Sequence, residues 1–191
     1  MDVSALRNKK ISVIGAARSG LAVAKLLHSH GAKVFVSDQH AGEKLRAQVS
    51  ELASAGIAFE VGGHTNLAYD SSLFVVSPGV PSSAPVVLQA LQRKIRVVSE
   101  LEVASWFCPS SIIAVTGSNG KTTTTTLIGR ILGDAKKSHA VAGNIGTAFS
   151  SVVATMKESD IAVLEVSSFQ LDHCESFRPK ISVILNITED H

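Results

Sequence analysis

Short apolar runs alternate with amphipathic stretches along the first hundred residues of the chain. The apolar runs predict extended strands at residues 10–15, 33–37, 73–77 and 95–98. The amphipathic stretches predict helices at residues 19–30, 43–55, 85–93 and 99–107, the last with Ser99 as its N-cap. Because strands that alternate with helices pair in parallel and are covered by those helices, this half predicts an α/β fold with a parallel sheet.

The same alternation continues after residues 108–111, a polar segment that we interpret as a linker near Pro109. Further strands are predicted at residues 112–115, 139–142, 161–165 and 181–185, and a helix at residues 121–132. The second half therefore predicts another parallel sheet, and we expect two domains.

The loop after the 112–115 run carries the most specific chemistry of the sequence. It reads Thr116, Gly117, Ser118, Asn119, Gly120, Lys121, Thr122, Thr123. Backbone N–H groups and the positive end of a helix dipole converge on such a strand-to-helix turn, which suits a phosphate group. Lys121 would reach the terminal phosphates, and the Thr122 hydroxyl would hold magnesium. The pattern predicts binding of ATP or GTP.

This loop departs from the common G-x-x-x-x-G-K-[ST] pattern, because Val115 stands where that pattern has its first glycine. The first glycine here is Gly117, so we expect a shorter or differently shaped loop. The alternative is an ordinary turn before a helix, with Lys121 in solvent.

A carboxylate ends the strand predicted at residues 161–165. The carboxyl end of a parallel strand beside a phosphate loop is where magnesium needs an oxygen ligand, so we predict that Glu165 binds the metal. A helix cap or a solvated acid is the alternative. For His191, the spacing leaves a metal ligand and a plain last residue both open.

Two loops at the carboxyl edge of the first predicted sheet are candidates for a second ligand. Residues 15–20 read Gly-Ala-Ala-Arg-Ser-Gly, a degenerate relative of G-x-G-x-x-G with Ala17 at the middle glycine. Asp38 stands where dinucleotide-binding folds carry a ribose-binding carboxylate. The other loop, Ser77-Pro78-Gly79, follows the 73–77 run. An NAD site and a turn that serves only packing both remain open, although Ala17 counts against NAD.

Composition limits the classes of function. The chain has 191 residues, of which 45% are hydrophobic, and that is ample for a buried core. A net charge of +2 without a basic cluster indicates no nucleic-acid partner. The sequence contains no run of about 18 apolar residues, so it predicts no membrane span. The N-terminus lacks the layout of a secretory signal, so we expect a cytoplasmic protein with reduced Cys108 and Cys174.

Together these motifs resemble those of the Mur ligase family, the ATP-dependent ligases that build the peptidoglycan stem peptide. The shared segments are residues 116–122, Gly-Asn-Ile-Gly at 143–146, Glu-Val-Ser-Ser-Phe-Gln-Leu at 165–171 and Asn-Ile-Thr-Glu-Asp-His at 186–191. The Ser-Ser-Phe-Gln-Leu stretch is most similar to the D-glutamate-adding branch. The resemblance covers essentially the whole chain. It implies a Rossmann-like domain at residues 1–108 that binds the UDP substrate, followed by part of a P-loop, ATP-binding domain at residues 109–191.

The resemblance also implies a reaction. The ATP γ-phosphate passes to the carboxylate of UDP-N-acetylmuramoyl-L-alanine, and the amine of D-glutamate then attacks the acyl phosphate to form an amide. ATP and Mg²⁺ are required, and we expect a monomer.

Residue roles follow from the matched motifs. A catalytic role is implied for Lys121, Glu165 and His191. Metal binding is implied for Thr122, Glu165 and His191. ATP binding is implied for Gly117, Ser118, Asn119, Gly120, Lys121, Thr122 and Thr123. Binding of the UDP-muramoyl substrate is implied for Gly15, Arg18, Ser19, Gly20, Asp38, Ser77, Pro78, Gly79, Asn144 and Ser167.

Members of this family continue past the Asp-His motif, with the rest of the central domain, a carbamylated lysine and a C-terminal domain that binds D-glutamate. We therefore expect that these 191 residues alone do not ligate. Two alternatives stay open: a non-catalytic module that binds the UDP-muramoyl substrate and nucleotide, and a dehydrogenase-like NAD protein.

Overall fold

Two parallel β-sheets organise the chain in a computed structural model, which describes residues 3–144 and 146–188. The predicted α/β class is confirmed. Among the described residues, no helix combines the length and the apolar content that a membrane crossing requires.

The first sheet has five strands in the order β3-β2-β1-β4-β5, all parallel. Its strands are β1 (Lys10–Ile14), β2 (Lys33–Asp38), β3 (Ala58–Val61), β4 (Leu73–Val76) and β5 (Arg96–Ser99). Its helices are α1 (Arg18–Ser29), α2 (Arg46–Ser54), α3 (Pro85–Gln92) and α4 (Glu100–Phe107). The order reverses between β1 and β4, and ligands of open α/β sheets bind at such a point, outside the carboxyl ends of the strands.

The second sheet has four parallel strands in the order β7-β8-β6-β9. Its strands are β6 (Ser111–Thr116), β7 (His139–Gly143), β8 (Ile161–Glu165) and β9 (Ile181–Ile184). Its helices are α5 (Lys121–Asp134), α6 (Phe149–Val152) and α7 (Ser168–Leu171). The phosphate-loop strand β6 therefore lies inside the sheet, with β8 on one side and β9 on the other.

The elements differ from the sequence prediction where apolar patterning is weak. Strand β3 was not predicted, because its four residues are only half-buried at the sheet edge and form no apolar run. The helix predicted at residues 43–55 is a 3-10 turn at Glu43–Leu45 followed by α2. Helix α5 continues two residues past its predicted end. The predicted cap of α4 is confirmed, since the Ser99 hydroxyl accepts a hydrogen bond from the Glu102 N–H at 3.2 Å.

Side chains from both halves of the chain share one core cluster, to which the first half contributes through helices α1 and α4. Leu26 of α1 and Leu101 of α4 pack there with Phe149 of α6, which is fully buried. In the same interface, the Glu100 carboxylate accepts hydrogen bonds from the Ser150 N–H at 2.9 Å and from the Ser150 hydroxyl. The two sheets are thus joined by a closely packed contact, and the domain boundary near Pro109 stays a proposal.

Candidate functional site

A four-residue loop, residues 117–120, joins β6 to α5. Gly117 and Gly120 have φ angles of +138° and +84°, a region that favours glycine. A Cβ on Gly117 would lie 3.0 Å from the carbonyl oxygen of Asn186, so this glycine also permits close packing on the segment after β9. The Asn119 N–H donates to the Asn186 side chain at 2.9 Å. The loop is therefore shorter than in the common motif, and the chain that follows β9 supports it.

The Lys121 side chain folds back over this loop. Its ammonium donates to the carbonyl oxygens of Gly117 at 2.5 Å and Ser118 at 3.0 Å. Lys121 is therefore half-buried and held against the loop, and it does not extend freely into solvent. A positive charge is held beside backbone N–H groups at a helix N-terminus, and these features attract anions.

Glu165 ends β8 next to β6, and only 3% of it is exposed. Its Oε2 accepts a hydrogen bond from the Thr122 hydroxyl at 2.8 Å, and its Oε1 lies 3.5 Å from Asn144 Nδ2. Its backbone carbonyl also accepts from the Asn144 N–H at 2.9 Å. The carboxylate that sequence placed beside the phosphate loop is thus in direct contact with that loop and with the turn after β7.

The oxygen donors here fit magnesium. Among residues 3–144 and 146–188, no group of three or more His, Cys, Asp or Glu side chains could hold a metal. Thr122 and Glu165 offer one hydroxyl and one carboxylate at contact distance. Mg²⁺ commonly takes one or two protein oxygens and fills its remaining positions with water and phosphate. His191 lies outside the described residues.

An open concavity of about 360 Å³ collects most of the residues predicted for the ATP end of the site. Its lining consists of Ser118, Asn119, Gly120, Lys121, Thr122, Thr123, Asn144, Glu165 and Ser167. Gly117 belongs to the loop but not to this lining. The Ser167 N–H donates to the Gln170 side chain at 3.0 Å, which fixes Ser167 at the start of α7.

A second pocket of about 200 Å³ lies at the carboxyl edge of the first sheet, where the strand order reverses. Gly15, Asp38, Ser77 and Gly79 line it, together with Ala17. The Ser77 hydroxyl donates to the Gly15 carbonyl at 3.0 Å and so joins the loops after β1 and β4.

The Asp38 carboxylate is engaged by the backbone. Its Oδ2 accepts from the Ala16 N–H at 2.7 Å and its Oδ1 from the His40 N–H at 2.8 Å, and the residue is only 7% exposed. These bonds hold the loop after β1 and the turn at His40 in place, and Asp38 still lines the pocket.

The remaining residues predicted for the substrate are spread out. A Cβ on Gly20 would lie 1.8 Å from the Gly15 carbonyl oxygen, so Gly20 serves the close packing of α1 on the loop. Ser19 lies half-buried in α1, and Pro78 lines a separate small cavity between the two halves. Arg18 is exposed, and its guanidinium donates to the Asn144 carbonyl at 3.4 Å. Arg18 directly follows Ala17, which lines the second pocket, and thus links that residue to Asn144 of the concavity.

Sequence reasoning missed His64 as a pocket residue. His64 lines the second pocket, and its Nδ1 lies 2.7 Å from the Ser37 hydroxyl. Burial lowers the pKa of His64, although the nearby Glu60 carboxylate opposes that shift. The only signal was the Gly62-Gly63-His64 loop, and it follows the strand that was not predicted.

Two family models together match most of the chain. Residues 9–99 match the Mur ligase MurD-like N-terminal domain, and residues 115–191 match the Mur ligase middle domain. The chain belongs to the Mur ligase family. The resemblance read from its motifs is confirmed.

Curated relatives of this Mur ligase chain are named UDP-N-acetylmuramoylalanine–D-glutamate ligase. The protein from Chloroherpeton thalassium is 48% identical over 97% of this chain and 41% of its own length. The protein from Chlorobaculum parvum is 49% identical over 100% of this chain and 41% of its own length. The chain therefore spans about two fifths of the length of these relatives.

A solved structure shares the fold. It is a UDP-N-acetylmuramate:L-alanyl-gamma-D-glutamyl-meso-diaminopimelate ligase from Neisseria meningitides, with a TM-score of 0.59 and 18% identity. The similarity covers 96% of this chain and 62% of that chain. At this identity it supports the architecture alone.

Proposed function

We propose that the chain forms the substrate-binding and ATP-binding domains of an ATP-dependent ligase that adds D-glutamate to UDP-N-acetylmuramoyl-L-alanine. The observation that carries this proposal is the Thr122–Glu165–Asn144 contact, which places the phosphate loop, a buried carboxylate and a polar turn in one concavity. The high identity to D-glutamate ligases over the whole chain supports it.

ATP would bind over residues 117–123. Backbone N–H groups at the start of α5 would face the phosphates, and Lys121 would exchange its carbonyl partners for the β- and γ-phosphate oxygens. Mg²⁺ would be held by Thr122 and Glu165, and a bound Mg²⁺ would neutralise part of the phosphate charge. Thr122 and Glu165 are already at contact distance, so the main rearrangement would be that of the Lys121 ammonium.

The UDP-muramoyl substrate would extend from the pocket of the first sheet to the concavity of the second. Arg18 follows Ala17 of the first-sheet pocket and contacts Asn144 of the concavity, so this pair connects the two sites. This path would bring the carboxylate of the L-alanyl group to Asn144 and Ser167, beside the γ-phosphate. Holding two anions together in this way lowers the entropic cost of the reaction.

The proposed chemistry has two steps. An oxygen of the L-alanyl carboxylate attacks the γ-phosphorus, and the bond from that phosphorus to ADP breaks. The resulting acyl phosphate is attacked at its carbonyl carbon by the amine of D-glutamate, and an amide and inorganic phosphate are released. Lys121 and the loop N–H groups would stabilise the charge that develops on the transferring phosphoryl group.

The proposal includes location and partners. The weak net charge of +2 and the absence of a basic cluster in the sequence support small-molecule substrates, and no nucleic-acid partner. We propose a cytoplasmic monomer, in line with the sequence.

Ligand-dependent thermal unfolding of the 191-residue chain tests the proposal by binding. A ligand at about 100 times its Kd adds about 2.7 kcal/mol to the stability. For a domain of this size that corresponds to a rise in Tm of about 5–11 °C. We expect rises with UDP-N-acetylmuramoyl-L-alanine and with Mg-ATP, and none with NAD. Lys121→Ala should abolish the Mg-ATP effect, while Lys137→Ala, an exposed lysine on the same half, should retain it. A rise with NAD and none with the UDP substrate would overturn the proposal.

A further inference from the structure

Residues 172–177, which we name the clasp segment, leave α7 and run along the first half of the chain. The Ser82 hydroxyl donates to the Asp172 carboxylate at 2.7 Å, and the Ser99 N–H donates to the His173 carbonyl at 3.0 Å. The guanidinium of Arg96 pairs with the Glu175 carboxylate at 2.5 Å. The segment thus belongs in sequence to the second half and is bonded along its length to the first.

Glu102 of α4 anchors the clasp segment. Its carboxylate accepts hydrogen bonds from three successive backbone N–H groups, those of Glu175 at 3.1 Å, Ser176 at 2.9 Å and Phe177 at 2.8 Å. The Trp106 indole N–H donates to the same carboxylate at 2.9 Å, and so does the Ser176 hydroxyl. Consecutive N–H groups around a carboxylate form an anion-binding nest, and hydrogen bonds to an ionised acceptor are the strong ones.

Burial and hydrogen bonding shift the pKa of Glu102 in opposite directions. Glu102 has no exposed surface, and burial raises its pKa. The hydrogen bonds from Ser176, Trp106 and the backbone outweigh burial and hold the pKa of Glu102 below its ordinary value. Because the folded-state pKa is lowered, this contact stabilises the fold above the ordinary Glu pKa and weakens as the pH falls through the lowered value.

The clasp segment starts where the substrate motif ends. Ser167 is the N-cap of α7 and lines the ATP-side concavity. Helix α7 ends at Leu171, directly before the clasp segment. Gln170, which is 2% exposed, and His173 line a small cavity together with Ser77 of the first pocket. Any displacement of the clasp would therefore shift Ser167 relative to Ser77.

We propose that Glu102 is a positioning residue that, through the clasp segment, sets the distance between the two halves of the substrate site. This inference rests on the proposed function, because it requires one ligand that reaches both pockets. Glu102 itself lines neither pocket and touches no proposed substrate group.

Ligand titrations of the 191-residue chain separate this role from a general loss of structure. We compare Glu102→Ala and Glu102→Gln with Glu158→Ala, which removes an exposed carboxylate from the second half. The ligands are UDP-N-acetylmuramoyl-L-alanine, UDP, and Mg-ATP. Misplacing one part of a divided site weakens only a ligand that spans it, so Glu102→Ala should raise the Kd of the first ligand at least about tenfold and leave the other two within about twofold. Glu102→Gln keeps one acceptor oxygen but turns an amide NH2 toward N–H donors of the clasp segment, so it should also weaken the first ligand selectively. Glu158→Ala should show no effect. Equal weakening of all three ligands, or of none, would overturn the proposal.

Hydrogen exchange provides a second readout that needs no ligand and works with Glu102→Gln if the alanine variant fails to fold. The amides of Glu175, Ser176 and Phe177 and those of α7 should exchange faster in the Glu102 variants, while those of β1 keep their protection. If the unmodified chain binds no UDP substrate, the proposed function fails. The exchange data still show whether Glu102 holds the clasp segment and α7 in place. Unchanged α7 protection in both variants would refute a positioning role, and faster α7 exchange would support it.

Discussion

Replacing Gly143 with alanine should disturb the candidate site through the backbone. Gly143 pairs with Glu165 across the strands and has a φ of +116°. A Cβ at this position would lie 2.2 Å from the Glu165 carbonyl oxygen, the atom that accepts the Asn144 N–H. Alanine therefore forces the Asn144 turn away from Glu165.

Three costs combine in this variant. The left-handed φ costs a non-glycine residue about 1–2 kcal/mol. Relief of the contact with the Glu165 backbone costs about 1–3 kcal/mol, as for other overpacked positions. The hydrogen bond from Asn144 contributes about 1 kcal/mol. The midpoints of these costs sum to about 4.5 kcal/mol, which corresponds to a fall in Tm of about 9–18 °C for a chain of this length.

Gly42→Ala is the matched control. Gly42 has a φ of +138°, and a Cβ there would meet no atom within 4 Å. It should carry only the conformational cost, about 1–2 kcal/mol. We expect thermal unfolding to separate the two variants by at least about 5 °C, and Mg-ATP to stabilise Gly42→Ala but not Gly143→Ala. Equal Tm values for the two variants would refute the reasoning from close approach.

Three other predictions concern the site, the interface between the sheets and the thiols. Thr122→Val removes the hydroxyl that contacts Glu165 at 2.8 Å, so titration should show a loss of about tenfold in Mg-ATP affinity, with metal-free ATP unaffected; equal losses with and without Mg²⁺ would contradict the metal role. Phe149→Ala empties a fully buried position in the core cluster shared by the two halves of the chain, and it should lower the free energy of unfolding by about 3–5 kcal/mol in urea titrations. A loss below about 1 kcal/mol would show that the interface is loosely packed. Burial raises the pKa of the Cys174 thiol to about 11, so iodoacetamide at pH 8 should alkylate it at least about 100-fold more slowly in the folded chain than in urea. Equal alkylation rates would contradict that environment.

The parts of the site that follow from local pattern were predictable. Strand β4 is a continuous apolar run, β8 is apolar up to Glu165, and β1 carries Ile11, Val13 and Ile14. Parallel strands of one sheet bring their carboxyl ends to the same edge. That rule places Glu165 at the same edge as the phosphate loop, and the direct pairing of β8 with β6 brings the two together. The glycines at 117 and 120 likewise indicated a tight turn.

The contacts that sequence could not supply are long-range or non-repetitive. Glu102 and Ser176 are 74 residues apart, and nothing in the pattern around either indicates the other. The engagement of Asp38 by backbone N–H groups depends on how two loops meet, and the place of His64 depends on a weak edge strand. Side-chain hydrogen bonds of this kind cannot be inferred from local sequence pattern, because they depend on how distant segments pack in the fold.

The most direct test of the central claim compares the affinities of the chain for UDP-N-acetylmuramoyl-L-alanine and for UDP by isothermal titration. If one substrate spans both pockets, the muramoyl-alanyl part adds contacts at Asn144 and Ser167, and its Kd should be at least about tenfold lower than that of UDP. Asn144→Ala should remove most of that difference. Equal affinities for the two ligands would contradict the account.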